Sequence, residues 1–194
     1  MTVLEPIRTR RSVRRYSAAP VEDAKIEAML ESARLAPSGS NTQPWHFIVV
    51  RAKESRERVV EACHSQGWML QAPLLIVCVA DIASRLGDSS DLILQADSPQ
   101  RALKSIIRDT AIAVEHMVLQ AQSMGLSTCW VGYFDQHEIR PVLNIPTDKY
   151  VVAVLVVGYG AEEPPARPRK PLGDMVHFEL WAGQGTLLSR MESG

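Results

Sequence analysis

Seven consecutive apolar residues, Val151 to Val157, constrain this chain more than any other feature. A strand with one wet face alternates apolar and polar residues. A β-branched run with no polar position reads instead as a strand buried on both faces. The segment Tyr150 to Tyr159 is therefore expected to be a central strand, which requires further strands beside it and helices over it.

The rest of the sequence supplies both. Ile26, Met29, Leu30, Ala33 and Ala36 recur at helical spacing after Pro20, and Pro37 supplies the stop, so a helix is predicted from about residue 21 to 36. The loop PSGSNTQP follows, then a short strand from His46 to Val50, a polar helix from about Lys53, and a second strand from Leu74 to Ala80. Residues 81 to 104 hold Gly87, Pro99 and several Ser and Asp without periodicity, and read as an excursion or lid. From about Ser105 to Met124 the chain is apolar around most of a helical circumference, which predicts a buried helix with Gly125 as its C-cap. A third strand, Ser127 to Val131, gives way at Gly132. Asp135 and Glu138 then form a capping-box pattern for a short helix before Pro141. Beyond the fourth strand, PPARPRKPLGD carries four prolines that forbid regular structure, and three clustered cations. No strand is followed by a GxGxxG loop, so a dinucleotide-binding doubly wound sheet is disfavoured. The expected fold class is α+β, a mixed, mainly antiparallel sheet flanked by helices, in a single domain spanning residues 1–194.

Composition narrows the function classes. With 194 residues, 22% charged, 46% hydrophobic and a formal net charge of −1, this is the make-up of an ordinary globular protein, without the basic excess of a general nucleic-acid or anionic-membrane binder. Cys63, Cys78 and Cys129 are an odd set without a CxxC, so neither a disulfide framework nor a zinc site is signalled, and a reducing compartment fits. The N-terminal stretch meets arginines before any apolar core, and the longest apolar runs are far too short to span a bilayer. A cytoplasmic location is expected.

Two segments carry the chemistry. In RTRRSVRRY, Arg8, Arg10, Arg11, Arg14 and Arg15 surround Ser12 just ahead of the first long helix. Such a run is either a solvated face or an anion site. A phosphate monoester gains about 1.5 to 3 kcal/mol for each charge-assisted hydrogen bond, so three such bonds near the upper end of that range reach micromolar affinity, about 8 kcal/mol. The second segment, Ala36 to Trp45, packs hydroxyl and amide side chains between Pro37 and Pro44. It is either a displayed set of hydrogen-bonding groups or a plain helix-to-strand connection held by Asx and Ser turns. No two of the five histidines share a metal-ligand spacing, and no metal is expected. Cys129, without a neighbouring base, reads as a small core residue.

RRSVRRYS, LAPSGSNTQPWHFIVV, MGLSTCWVGYFD and VVAVLVVGYGAEEP together resemble the nitroreductase family in content, order and spacing, over almost the whole chain. The resemblance implies an intertwined homodimer with two FMN molecules, each between subunits. It implies Arg10, Arg11 and Ser12 at the phosphate and ribityl end of FMN, and Arg14 towards the pyrimidine edge of the ring. Pro37, Ser38, Gly39, Asn41 and Gln43 would approach the flavin from the other subunit. Trp130, Val131 and Gly132 would border the ring with a backbone N–H near N5, and Arg169 and Lys170 would form a second phosphate clamp, with Arg167 beside them. Many relatives carry a Lys or Asn before the second strand to contact the pyrimidine edge, whereas this chain has Gln66, Gly67 and Trp68.

The implied activity is transfer of electrons from NADH or NADPH through flavin N5 to an electron-poor acceptor, a nitroaromatic, quinone or similar molecule, by a ping-pong mechanism with no acid–base side chain. Competing readings are a flavin-binding module without turnover, a flavin-fragmenting synthase that makes dimethylbenzimidazole, and a halotyrosine deiodinase. The last is disfavoured, because a deiodinase lid carries Glu, Tyr and Lys and the stretch 83–104 has neither Glu nor Tyr.

Overall fold

The computed structural model describes residues 2–86 and 101–181, and in it the Val151–Val157 run occupies an inner strand. The chain divides into two units, Met1–Pro164 and Pro165–Gly194. In the first unit the elements run α1 (Glu5–Thr9), α2 (Asp23–Arg34), β1 (Trp45–Val50), α3 (Lys53–Ala62), β2 (Leu74–Asp81), α4 (Ala83–Leu86), α5 (Arg101–Ser123), β3 (Ser127–Val131), α6 (Gln136–Val142) and β4 (Lys149–Gly158). The four strands form one sheet in the order β1-β2-β4-β3, every neighbouring pair antiparallel. The parallel element among the described residues is an isolated bridge between Ser12 and Thr128.

Each face of this sheet is covered by two helices. Leu74, Ile76, Cys78, Leu155 and Val157 pack with Ile26, Met29 and Ala33 of α2 and with Ala113, Val114, Met117 and Ala121 of α5. Leu75, Val77, Val79, Val154 and Val156 pack on the other face with Val59 and Val60 of α3 and Ile139 of α6. β2 is buried along almost its whole length and β4 nearly so, as a strand between two apolar layers must be. The alternation in β4 is not strict. Cys78 pairs with Ala153 but Val79 pairs with Val151, so Val152 is an extra residue. This bulge explains why Val151 lies in the same core as Val154 and Val156 although the parity of its number differs.

Several elements differ from expectation. Helix α1 has no buried residue and no periodic apolar face to reveal it; Pro6 in its first turn and Arg8 in its last suit a helix. Helix α5 starts at Arg101, inside the stretch read as an excursion. Leu103 and Ile106 are fully buried against Ala80, Ile82 and Tyr150, and that burial carries the helix upstream through a polar sequence. Of the proposed lid, residues 87–100 lie outside the described residues. Helix α6 begins after Asp135 as anticipated, without the side-chain bonds of a capping box, and continues through Pro141 to Val142 instead of stopping ahead of it. Gly125 ends α5 with φ +75°, a left-handed conformation that glycine adopts without cost.

In the second unit the proline-rich stretch is irregular up to Pro171, where a single 3₁₀ turn, Leu172–Asp174, follows.

Candidate functional site

The arginine-rich segment is laid along the outer edge of β3. Ser12 bridges Thr128 in parallel, the Val13 N–H donates to the Thr128 carbonyl at 3.1 Å, and further on the Ser17 N–H donates to Tyr159 and the Ala161 N–H to Arg15, at 2.9 and 2.8 Å. Val13 and Tyr16 are the buried anchors of the segment. The Tyr16 hydroxyl donates to the Val13 carbonyl at 2.6 Å, and burial pushes its pKa up, so it is a neutral structural phenol. Close approach at the end of β4 demands glycine. A Cβ on Gly158 would lie 2.8 Å from Pro73 Cδ and 3.0 Å from Tyr16 Cδ1.

Pairing with β3 separates the arginines by role. Arg10 caps the C-terminus of α1 through its N–H and is half-buried. Its charge reaches Glu115 of α5, where burial raises the carboxyl pKa and Arg10 partly offsets the rise. Arg11 turns Nη1 onto the carbonyls of Arg8, Thr9 and Arg10 at 3.1, 3.1 and 2.8 Å, closing the end of α1. Ser12, Arg14 and Arg15 are exposed. The Arg14 N–H donates to Glu162 Oε1 at 2.7 Å, while its guanidinium carbon lies over the Trp68 ring, 5.7 Å from the centroid. None of the five arginines from Arg8 to Arg15 forms an ion pair among the described residues. Cations without a direct carboxylate partner attract an anion more strongly than a salt-bridged surface would, although Glu115 and Glu162 lie near Arg10 and Arg14.

Trp130, Val131 and Gly132 follow on the same edge. Val131 is buried, whereas Trp130 is 39% exposed, a large indole left at the surface of an otherwise buried strand. A Cβ on Gly132 would meet only Trp130 Nε1, at 3.8 Å, so the space over this residue is open to a planar ligand. A cavity of about 460 Å³ opens beside the segment, bordered by Thr9, Arg11, Gln122, Ser127, Glu162 and Glu163 among others.

The loop of Pro37, Ser38, Gly39, Asn41 and Gln43 is held rigidly elsewhere. Gly39–Asn41 forms a 3₁₀ turn with Ser40, Asn41 and Gln43 at φ 55°, 54° and 48°. Ser38 Oγ accepts from the Gln43 N–H at 2.9 Å, and Asp109 of α5 accepts from the Gly39 N–H at 3.1 Å. Asn41 and Gln43 remain exposed. This loop enters β1, at the far edge of the sheet. Four strand spacings of about 4.8 Å put roughly 19 Å between β1 and the arginine segment within one chain. One chain therefore does not bring the two sets together. Arg169 and Lys170 belong to the second unit and are exposed, with Arg169 Nη1 only weakly bound to Arg167 and Pro168 carbonyls at 3.4 and 3.5 Å.

Trp68 and Glu162 come into contact with Arg14 without having been assigned to the site from sequence. Trp68 stood out only as a departure from the pattern of relatives, and Glu162 lay within the last of the four motifs without a role assigned to it. Other groups stand apart from it. Cys63, Cys78 and Cys129 are buried free thiols whose pKa values burial raises, Cys63 to about 12, so none is a ready nucleophile. His64, Asp135 and Glu138 bring their donor atoms within 4.8 Å of one another, a convergence invisible in one-dimensional spacing. The three side chains are exposed, and proximity is all that marks them as a ligand set.

Comparison with known proteins agrees with this architecture. The Nitroreductase family model matches residues 7–159. A crystal structure of a nitroreductase family protein from Clostridium difficile 630 is 30% identical, with TM-score 0.77, over 93% of this chain and 100% of that one. The chain is 26% identical over 196 residues to the Bacillus subtilis protein named FMN reductase [NAD(P)H], covering 98% of this chain and 79% of the relative. It is 27% identical over 185 residues to the 5,6-dimethylbenzimidazole synthase of Rhodospirillum rubrum, covering 84% of each. With an antiparallel four-stranded sheet between helices, an arginine-rich edge and a family match across all of the secondary structure from α2 to β4, this chain belongs to the nitroreductase family.

Proposed function

We propose that this protein is an FMN-dependent oxidoreductase that passes electrons from NADH or NADPH to an electron-poor acceptor, a nitroaromatic or quinone, as a homodimer with a flavin site between subunits. Family membership carries the coarser assignment to NAD(P)H-dependent oxidoreductases. The observation that carries the finer one is the arginine segment laid open along β3 beside Gly132, with the 37–43 loop on the opposite edge of the same sheet. Those two sets complete one site only if a second chain supplies the loop.

The residues fit FMN. Arg10, Arg11 and Ser12 would hold the phosphate and ribityl end, Arg11 mainly through its charge, since Nη1 is engaged on α1. Trp130, Val131 and Gly132 would border the ring, with a backbone N–H near N5 and no Cβ at Gly132 to obstruct it. Arg14 would place a cation at the pyrimidine edge. Pro37, Ser38, Gly39, Asn41 and Gln43 of the partner subunit would close the other side, and Arg169 and Lys170 would add a second phosphate clamp. When bound, FMN supplies the redox chemistry, accepting hydride at N5 from the nicotinamide and handing the electrons on. The chain's own part is to bind, to orient and to set the charge around the ring; no side chain is assigned a proton transfer. One open pocket serving donor and acceptor in turn gives ping-pong kinetics. No described helix is long and apolar enough to cross a membrane, and three unpaired thiols suit a reducing cytoplasm.

The test is to denature the purified protein and identify the released flavin, then titrate the holoprotein anaerobically with NADH and NADPH before adding an acceptor panel. FMN release, bleaching by nicotinamide and reoxidation by a quinone or nitroaromatic are expected; FAD alone, or no bleaching, would refute the proposal. The likeness to the Rhodospirillum rubrum synthase supports a second reading, fragmentation of the flavin. Loss of flavin with appearance of 5,6-dimethylbenzimidazole when the reduced holoprotein meets oxygen would favour it.

A further inference from the structure

We infer that Trp68 is a positioning residue for Arg14, its indole face serving as the platform that holds the Arg14 guanidinium where the proposed flavin site needs a fixed positive charge. The inference rests on the assignment of Arg14 to that site.

Arg14 is an exposed arginine on a strand-like edge with no carboxylate paired to its guanidinium among the described residues. The nearby Glu162 carboxylate is used on the Arg14 backbone N–H, at 2.7 Å. A free arginine side chain carries about 2 kcal/mol of rotamer entropy, and an unsupported guanidinium would sample many positions. The Trp68 ring lies under it at 5.7 Å, within the range of about 6 Å over which an aromatic face attracts a cation.

The platform is itself fixed. Trp68 sits in a 3₁₀ turn, Gly67–Gln71, between α3 and β2. Arg56 of α3 donates Nη1 to the Leu70 and Ala72 carbonyls at 3.2 and 2.5 Å, stapling that turn. Met69 is fully buried, and Trp68 packs half-buried against the core shared with Val13 and Tyr16, the anchors of the arginine segment. The aromatic face and the segment that carries Arg14 are thus seated on one core. Before the second strand, where many relatives carry a Lys or Asn, this chain has Gln66, Gly67 and Trp68, so the charge at this corner comes from Arg14 and its orientation from Trp68.

The experiment compares FMN-saturated holoprotein of wild type, Trp68→Leu, Trp68→Phe, Arg14→Ala and the double variant Trp68→Leu/Arg14→Ala by spectroelectrochemical titration. Leu keeps apolar volume without a π face; Phe keeps a smaller face. Trp68→Leu should lower the midpoint potential in the same direction as Arg14→Ala, by about two- to fivefold in the ratio of reduced to oxidised FMN affinity. Trp68→Phe should stay closer to wild type, and Trp68→Leu should add nothing in the Arg14→Ala background. A merely structural role would lower Tm in Trp68→Leu and leave the potential unmoved, which would overturn the inference. Equal shifts in Leu and Phe variants, or an undiminished Trp68→Leu shift without Arg14, would overturn it as well. Should Arg14→Ala leave the potential at its wild-type value, the assignment of Arg14 fails first and the inference with it.

Discussion

Ser12 pairs in parallel with Thr128, so Arg10 and Arg14, although only four residues apart, are set at opposite ends of a short extended segment with different neighbours. Arg10 sits half-buried at the end of α1, within electrostatic reach of Glu115; Arg14 is exposed over Trp68. Arg10→Ala keeps the capping N–H and removes only the guanidinium. It should therefore cost FMN affinity, about 1.5 to 3 kcal/mol, or roughly ten- to a hundredfold in dissociation constant, with little change in potential. Arg14→Ala should weaken the more negative reduced flavin more than the oxidised one and lower the midpoint potential by a few tens of millivolts, since about 30 mV corresponds to 1.4 kcal/mol for two electrons. A larger drop in Arg10→Ala than in Arg14→Ala would reverse the two assignments.

The separation of the 37–43 loop from the arginine segment bears on assembly. If a complete flavin site draws on both chains, dilution that dissociates the dimer should release FMN in parallel. Analytical ultracentrifugation detected at flavin and protein wavelengths measures both at once. A monomer that sediments with its FMN would contradict the shared site.

Gly158 lies in the inner strand β4, under the crossing of Tyr16 and Pro73. Gly158→Ala pushes a methyl to 2.8 Å from a proline ring that cannot rotate away. The expected loss is about 1–3 kcal/mol of stability, read as a reduced urea midpoint with an unchanged slope. Since the strained neighbour Tyr16 anchors the arginine segment, FMN affinity should fall too. An unchanged midpoint would mean that the crossing is looser than this packing requires.

Asp81 and Lys149 face each other across β2 and β4, Lys149 Nζ 2.7 Å from Asp81 Oδ1. Burial works against both charges, but the hydrogen bond and mutual attraction outweigh it, leaving the Asp81 pKa lowered and the Lys149 pKa raised. The depressed carboxyl contributes stability above its unfolded value of about 3.9, lost as pH falls through the lower folded value. The raised amine contributes below about 10.4, lost as pH rises through the higher folded value. Asp81→Asn should thus cost about 0.2–1 kcal/mol at neutral pH, and the difference from wild type should close on acidification below the ordinary carboxylate range. Thermal unfolding of both proteins across that range checks it; a gap that persists in acid would show that the pair acts through packing.

What the sequence determined by itself is local. The unbroken apolar run fixed an inner strand, the spacing of Ile26, Met29 and Ala33 fixed α2, and β3 falls on Ser127–Val131 as read, because residue type and period act within a few residues of chain. The four motifs likewise carried the family. Tertiary structure alone decided the strand order β1-β2-β4-β3, the extra residue at Val152 that changes which face its neighbours present, and the burial of Leu103 that draws α5 upstream. It alone laid Ser12 on Thr128, set Arg14 over Trp68, and left the 37–43 loop at the far edge of the sheet. Those pairings join residues distant in sequence, and they are chosen by which surfaces can be buried and which backbone groups can be satisfied together, a condition that no single segment's period expresses.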